Sequence, residues 1–144
     1  MKVKVYSSML LNITSDRYFP RFTGLIKEII RQGISDDKPL FDDQVSIDYV
    51  GSELDGKIFV NSRDRNEKFS FSLGKGEVIP AWDLGVATMK RGEIARFIAT
   101  PKYAYGLKGE KKFLSATNVI FEIELLDFVG KIDLLVVNHV FSSQ

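Results

Sequence analysis

Apolar and polar residues alternate along four stretches of the chain, a pattern typical of β-strands with one buried face. The clearest is the last, where Val119, Phe121 and Ile123 share one face while Glu122 and Glu124 lie on the other. A hairpin signal, Asp-Gly, follows the first stretch. The four predicted strands cover residues 45–49, 69–73, 94–99 and 119–125, and the Asp-Gly pair is 55–56.

One stretch, "VIPAWDLGVATMKRG", has helical spacing instead. Pro80 suits a first helical turn, where its missing N–H is not needed, and Gly92 is a natural stop after the last basic residues. Gly85 weakens the helix by about 1 kcal/mol relative to alanine, so the helix is predicted to be short, from Pro80 to Met89. The apolar positions that recur at this spacing are Ile79, Trp82, Val86 and Met89. Together the elements predict an α+β domain, a mostly antiparallel sheet with one short helix.

Two segments are less defined. "GLIKEIIRQG" fits a helix by spacing and a strand by its β-branched residues and flanking glycines, and the pattern does not choose between them. The segment before Gly24 is predicted to be weakly ordered, apart from a candidate strand from Val3 to Tyr6.

Composition excludes several classes of function. The chain has 144 residues, enough for one domain, and its net charge of +1 gives no basis for binding nucleic acid or an acidic membrane. It has no cysteine and a single histidine, His139. A disulfide, a thiolate metal site or a histidine-based triad therefore lacks its residues, and we expect no metal and no cofactor. No signal peptide is evident, and the predicted location is cytoplasmic.

Aromatic residues, 12% of the chain, are concentrated in the predicted domain. Each by itself is most simply explained as core, as we expect for Phe71 and Phe97. Trp82 at a helix start and Tyr105 in a loop also fit the wall of a concave aromatic pocket.

Three motifs in one order resemble the FKBP-type peptidyl-prolyl isomerase domain. They are "SRDRNEKFSFSLGKGEVIPAWDLGVATMKRGE", "PKYAYG" and "FEIELLDF", and the likeness runs from about Gly24 to Phe128. The resemblance implies an antiparallel half-barrel sheet around one short helix, with "GLIKEIIRQG" as a strand. With "SMLLNITSDR" upstream, the chain looks closest to the germline Shutdown branch, co-chaperones of the piRNA pathway that act in transposon silencing.

The same resemblance implies a pocket that binds the proline of a substrate. We assign no residue of this chain as catalytic. Trp82 matches the floor of the family's pocket, and the backbone of Ile79 matches its contact with the ligand at the rim. The Tyr105 hydroxyl matches a donor to a substrate carbonyl. Arg65 matches the arginine that braces the site. The matched pocket positions are Tyr49, Phe59, Val60, Arg65, Phe69, Val78, Ile79, Trp82, Tyr105 and Phe121.

Two positions depart from the family pattern. The family has an acidic residue after the pocket phenylalanine, whereas this chain has Val60 after Phe59. In a regular strand Val60 would face away from Phe59; otherwise the strand ends there and both line one cavity. The loop after Gly106 lacks the family's prolines. Without the acid, Arg65 either turns outward or pairs with Asp64 or Glu67.

These departures predict a catalytically weak or inactive domain that serves as a protein-interaction module. An active isomerase that binds macrolides in the aromatic pocket is the alternative, and a module using another face, near Lys108–Phe113, is a third. The predicted organisation is an extension over 1–23, an FKBP-type domain over 24–128, and an extension over 129–144 leading to repeats that this chain does not show. Expected partners are proteins, with heat-shock chaperones reached through such repeats and a proline-containing peptide in the pocket.

Overall fold

The computed structural model describes residues 24–106 and 117–131, together with the backbone of residues 4–5. Seven strands and one α-helix account for most of this part of the chain. The strands are β1 (Lys4–Val5), β2 (Leu25–Arg31), β3 (Gln44–Glu53), β4 (Ile58–Asn61), β5 (Phe69–Ser72), β6 (Ile94–Ala99) and β7 (Val119–Val129), and the helix is α1 (Pro80–Val86).

All seven strands form one sheet in the order β1-β2-β6-β7-β3-β4, with β5 also paired to β3. Every pairing is antiparallel except that of β1 with β2. The long strand β3 pairs with β7 along its whole length on one edge, and shares its other edge between β4 and β5. The predicted fold class, an antiparallel sheet with one short helix, is confirmed.

The segment that fitted either a helix or a strand is strand β2. Its Lys27 is buried and lies 2.8 Å from the equally buried Glu93, measured from Nζ to Oε2. Lys27 also donates to the carbonyl of Thr88 at 3.1 Å. Burial lowers the pKa of the Lys27 ammonium below its ordinary 10.5, and the hydrogen bond that Lys27 donates to Glu93 opposes this effect. The pair therefore fastens β2 to the segment that follows α1.

Helix α1 is shorter than the predicted 80–89. It ends at Val86, because the N–H groups of Thr88 and Met89 bond to carbonyls three residues back and tighten the chain into a turn. Met89 is nonetheless fully buried. A Cβ on Gly85 would lie 2.8 Å from the Phe97 ring, so this glycine lets α1 approach β6 closely. The same glycine that weakens the helix is needed for its packing.

The core lies between α1 and the concave face of the sheet. The positions of β7 predicted to share one face are all fully buried, and Phe71 and Phe97 are core as expected. The buried residues are Ala95, Phe97, Ile98 and Ala99 in β6, and Val119, Phe121, Ile123 and Leu125 in β7. In the described residues no helix is long and apolar enough to cross a membrane.

Candidate functional site

An aromatic cluster lies at one end of the core, with Trp82 of α1 at its base. The Trp82 ring centroid is 4.5 Å from that of Tyr49, 5.6 Å from Phe69 and 5.5 Å from Phe121. Trp82 is only 7% exposed, as expected for a floor. Three different strands thus bring aromatic rings onto one helix residue.

From Trp82, the cluster continues through Phe121 to the half-buried rings of Phe59 and Tyr105. Phe59 and Tyr105 lie 6.1 and 6.4 Å from Phe121 and 6.2 Å from each other, between ring centroids. Edge-to-face arrangements dominate, the geometry that aromatic pairs favour. Six aromatic residues separated by up to 72 positions in sequence therefore form one contiguous cluster.

A β-bulge explains how Val60 joins this cluster directly after Phe59. In the β3–β4 pair, Ser52 lies opposite Ile58 but Gly51 lies opposite Val60, so Phe59 is the extra residue. A bulge breaks the strict alternation and can re-aim a side chain. A Cβ built on Gly51 would lie 2.7 Å from Val60 Cγ1 and 2.9 Å from Phe59 Cζ, so both side chains converge on one point. The two side chains therefore approach the same point of β3 and do not face away from each other, as they would in a regular strand.

Gly51 lies against the aromatic cluster, and the sequence pattern alone did not lead us to it. The same hypothetical Cβ would lie 3.0 Å from the Phe121 ring, so three wall side chains already occupy its place. A glycine inside the strand "QVSIDYVGSE" signals a bulge or a close approach, and that signal was available.

We expect Gly51→Ala to lower the free energy of unfolding by about 1–3 kcal/mol, because a methyl group there overpacks the wall. Urea denaturation followed by circular dichroism measures this change. Ser52→Ala, at the neighbouring position, is the matched control. Val60→Ala should relieve part of the loss in the double variant, since it vacates the nearest contact. A Gly51→Ala change of less than about 0.5 kcal/mol would mean that the wall is loosely packed.

Arg65 stands at the tyrosine edge of the cluster. It ends a single 3-10 turn, Arg63–Arg65, which buried Ser62 ties to β3. The Ser62 Oγ accepts from the Tyr49 N–H at 2.8 Å, and the Ser62 N–H donates to the Tyr49 carbonyl at 2.9 Å. The exposed Arg65 guanidinium then donates through Nη2 to the Tyr49 hydroxyl at 3.2 Å.

The nearby carboxylates on the sheet are engaged elsewhere. Arg63 lies 2.7 Å from Glu124 and 4.0 Å from Asp48, and Asp48 also accepts from Ser62. Within 24–106 and 117–131, no carboxylate lies within 4.0 Å of the Arg65 guanidinium. The suggested pairing with Asp64 or Glu67 is therefore wrong for this structure, and Arg65 turns outward with a neutral phenol as its partner.

The rim residues Val78 and Ile79 are half-buried and pack on the core beside the helix start. The Ile79 carbonyl accepts from the N–H groups of Trp82 and Asp83, whereas its own N–H donates to no described residue. The indole Nε1 of Trp82 is buried and also has no hydrogen-bond partner in the described part of the chain. A ligand in this space would therefore meet aromatic walls and few polar groups.

Comparison with known proteins agrees with this geometry. The family model described as FKBP-type peptidyl-prolyl cis-trans isomerase matches residues 35–126. Peptidyl-prolyl cis-trans isomerase Fkbp12 of Drosophila melanogaster is 44% identical over 84 residues, which cover 58% of this chain and 78% of that protein. The chain belongs to the FKBP-type peptidyl-prolyl cis-trans isomerase family.

Longer FKBP-type proteins are also similar. Peptidyl-prolyl cis-trans isomerase FKBP4 of Bos taurus is 47% identical over 109 residues, 75% of this chain and 24% of that protein. FK506-binding protein 59 of Drosophila melanogaster is 44% identical over 109 residues, again 75% of this chain and 25% of that protein. The chain thus spans about a quarter of the length of these relatives.

Among solved structures, the crystal structure of FkpA from Escherichia coli shares the FKBP-like fold. It superposes with a TM-score of 0.67 at 34% identity, covering 74% of this chain and 49% of FkpA. Residues 107–116 lie outside the described part of the chain. They include most of the loop after Gly106 that departs from the family pattern, and the proposed interaction face near Lys108–Phe113.

Proposed function

We propose that this FKBP-type domain binds protein partners through its aromatic cavity and isomerises proline bonds weakly or not at all. The cavity would hold a proline-containing segment between Trp82, as the floor, and the upper rings of Phe59 and Tyr105. The full set proposed to line it is Tyr49, Phe59, Val60, Arg65, Phe69, Val78, Ile79, Trp82, Tyr105 and Phe121. A shared fold does not by itself carry the activity of its family.

The position of Val60 carries this proposal. Its Cγ1 lies at the point where the Phe59 and Phe121 rings also converge on Gly51. An apolar side chain there presents methyl groups where the resemblance implies a carboxylate. The arginine that would brace such a carboxylate bonds instead to the Tyr49 hydroxyl.

The chemistry of the reaction explains why this substitution matters. Rotation about an X–Pro bond makes and breaks no covalent bond, and its barrier of about 18–20 kcal/mol comes from amide resonance. A catalyst lowers it by binding the twisted amide more tightly than the planar one. Aromatic walls that replace water favour the less polar twisted form, and a polar group at the wall adds to this preference. Val60 withdraws that polar contribution and leaves the apolar one.

The intact cluster favours a second candidate, an active isomerase that also binds macrolides. The Trp82 ring lies against those of Tyr49, Phe69 and Phe121, which supports an apolar site of the kind that this candidate needs. If aromatic walls alone are sufficient to catalyse proline isomerisation, the domain should turn over a proline peptide as fast as an active FKBP-type protein.

A turnover assay on a proline tetrapeptide, with an active FKBP-type protein as reference, separates these candidates. We expect a kcat/KM at least about tenfold below the reference, since a hydrogen bond to a charged group contributes about 1.5–3 kcal/mol. Turnover equal to the reference would establish the isomerase instead.

Its wider role is also a proposal. The motifs quoted above support placement in the germline Shutdown branch, as the FKBP-type part of a piRNA-pathway co-chaperone in the cytoplasm. In that setting residues 24–128 are the domain, 1–23 and 129–144 are extensions, and heat-shock chaperones bind through repeats that follow in the full-length protein. Co-purification of the full-length protein with such chaperones, lost when the repeats are deleted, tests this placement.

A further inference from the structure

Arg65 is a cation whose partner in the structure is uncharged. Its Nη2 lies 3.2 Å from the Tyr49 hydroxyl oxygen, and the Tyr49 ring lies 4.5 Å from the Trp82 ring at the cavity floor. One positive charge therefore stands beside the cavity on a turn anchored by buried Ser62. An anchored turn keeps the base of this arginine in place while its exposed head remains open to a ligand.

The surrounding acids do not neutralise this charge. Glu124 accepts from both Arg63 and Arg31, at 2.7 and 3.1 Å, and Asp48 is engaged by Ser62 and Arg63. An acid at position 60 would have added a negative charge at the wall, and Val60 adds none. The cavity edge thus keeps a cation and lacks the anion that would repel a second carboxylate.

We infer that the cavity selects protein segments carrying a carboxylate side chain next to the proline, with Arg65 binding that carboxylate. The inference rests on the proposed function, in which the cavity holds a proline-containing segment. The proline ring packs on Trp82, and the neighbouring Glu or Asp side chain reaches the guanidinium at the Tyr49 edge. A guanidinium pairs well with a carboxylate because its N–H groups match the two oxygens.

The expected preference is modest, because Arg65 is exposed and water screens the pair. A glutamate peptide should bind about three- to tenfold more tightly than its glutamine counterpart at low ionic strength. The preference should shrink as salt is added, since the Debye length falls to about 10 Å at 0.1 M.

The test uses capped peptides, which carry no terminal charge. Ala-Glu-Pro-Phe is compared with Ala-Gln-Pro-Phe, and Ala-Ala-Pro-Glu with Ala-Ala-Pro-Gln. Trp82 is the single tryptophan of the chain, so its fluorescence reports on binding at the cavity floor. At least one glutamate peptide should show the preference, and Arg65→Gln should abolish the preference, so that the glutamate and glutamine peptides bind this variant equally.

Two further variants make the result specific. Lys68→Gln removes an equal charge from an exposed residue three positions away, and it should keep the preference. Val60→Asp places a carboxylate at the wall and should remove the preference for glutamate peptides. Any of three results would overturn the inference. Both glutamate peptides could bind no more tightly than their glutamine counterparts, the preference could survive in Arg65→Gln, or no peptide could bind at all. Fast turnover of all peptides regardless of charge would overturn the proposed function instead.

Discussion

Replacing Trp82 with alanine should lower the free energy of unfolding by about 3–5 kcal/mol, the range typical of a large aromatic removed from a packed interior. Trp82 is 7% exposed and contacts Tyr49, Phe69 and Phe121 at ring-centroid distances of 4.5–5.6 Å. Its loss opens a hole beneath the cavity that these rings cannot fill without moving. Far-ultraviolet circular dichroism in urea measures the change, since the variant has no tryptophan fluorescence.

Ile58→Ala is the matched control, because Ile58 is also a large apolar residue but is 58% exposed. We expect that variant to lose less than about 1 kcal/mol. If Trp82→Ala loses no more than Ile58→Ala, Trp82 does not support the core and its assignment as the cavity floor is wrong.

Introducing a carboxylate at the cavity wall should raise isomerase activity. We expect Val60→Asp to increase kcat/KM on a proline tetrapeptide by about tenfold or more, and to tighten macrolide binding, because a charge-assisted hydrogen bond contributes about 1.5–3 kcal/mol. Arg65, whose guanidinium lies 3.2 Å from the Tyr49 hydroxyl, and Tyr105 are the groups expected to receive this carboxylate. Recovery should remain partial, since the loop from Leu107 to Asn118 still lacks the family's prolines.

Two controls separate charge from shape and position. Val60→Asn has nearly the shape of the aspartate without its charge, and should recover less. Ile58→Asp adds the charge at an exposed site on the same strand, and should change nothing. If Val60→Asp alters neither turnover nor macrolide affinity, the loop rather than residue 60 limits the domain. Unfolding in urea must accompany the assay, because an acid in a half-buried place lowers stability.

Both of these results depend on a fold whose main elements are readable from the chain. The alternation in residues 94–99 and 119–125 predicts the two central strands, and in 119–125 also the buried face, because a strand with one face in the core has a period of two. The helix start at Pro80 was also correct. The predicted helix end at Met89 was wrong. Met89 lies at helical spacing because it is buried, but the chain there is a turn closed by hydrogen bonds to the carbonyls of Gly85 and Val86.

The identity of the cavity residues came from motif resemblance, and the structure brings their rings together. What no local pattern decides is which way a residue faces at a bulge. At the bulge, the register between β4 and β3 shifts beside Gly51, and Phe59 is left without a partner between Ile58, which pairs with Ser52, and Val60, which pairs with Gly51.

The partner of Arg65 is likewise a property of the tertiary structure alone. Its neighbours in sequence, Asp64 and Glu67, are acids that the chain offers as partners, yet the folded turn directs the guanidinium to Tyr49, 16 residues away. The sequence by itself therefore determined the alternating strands and the helix start, which follow from local spacing, and motif resemblance supplied the residue types proposed for the cavity. The direction of Val60 and the partner of Arg65 depend on how β4 and the turn after it lie against β3, and only the assembled sheet decides that.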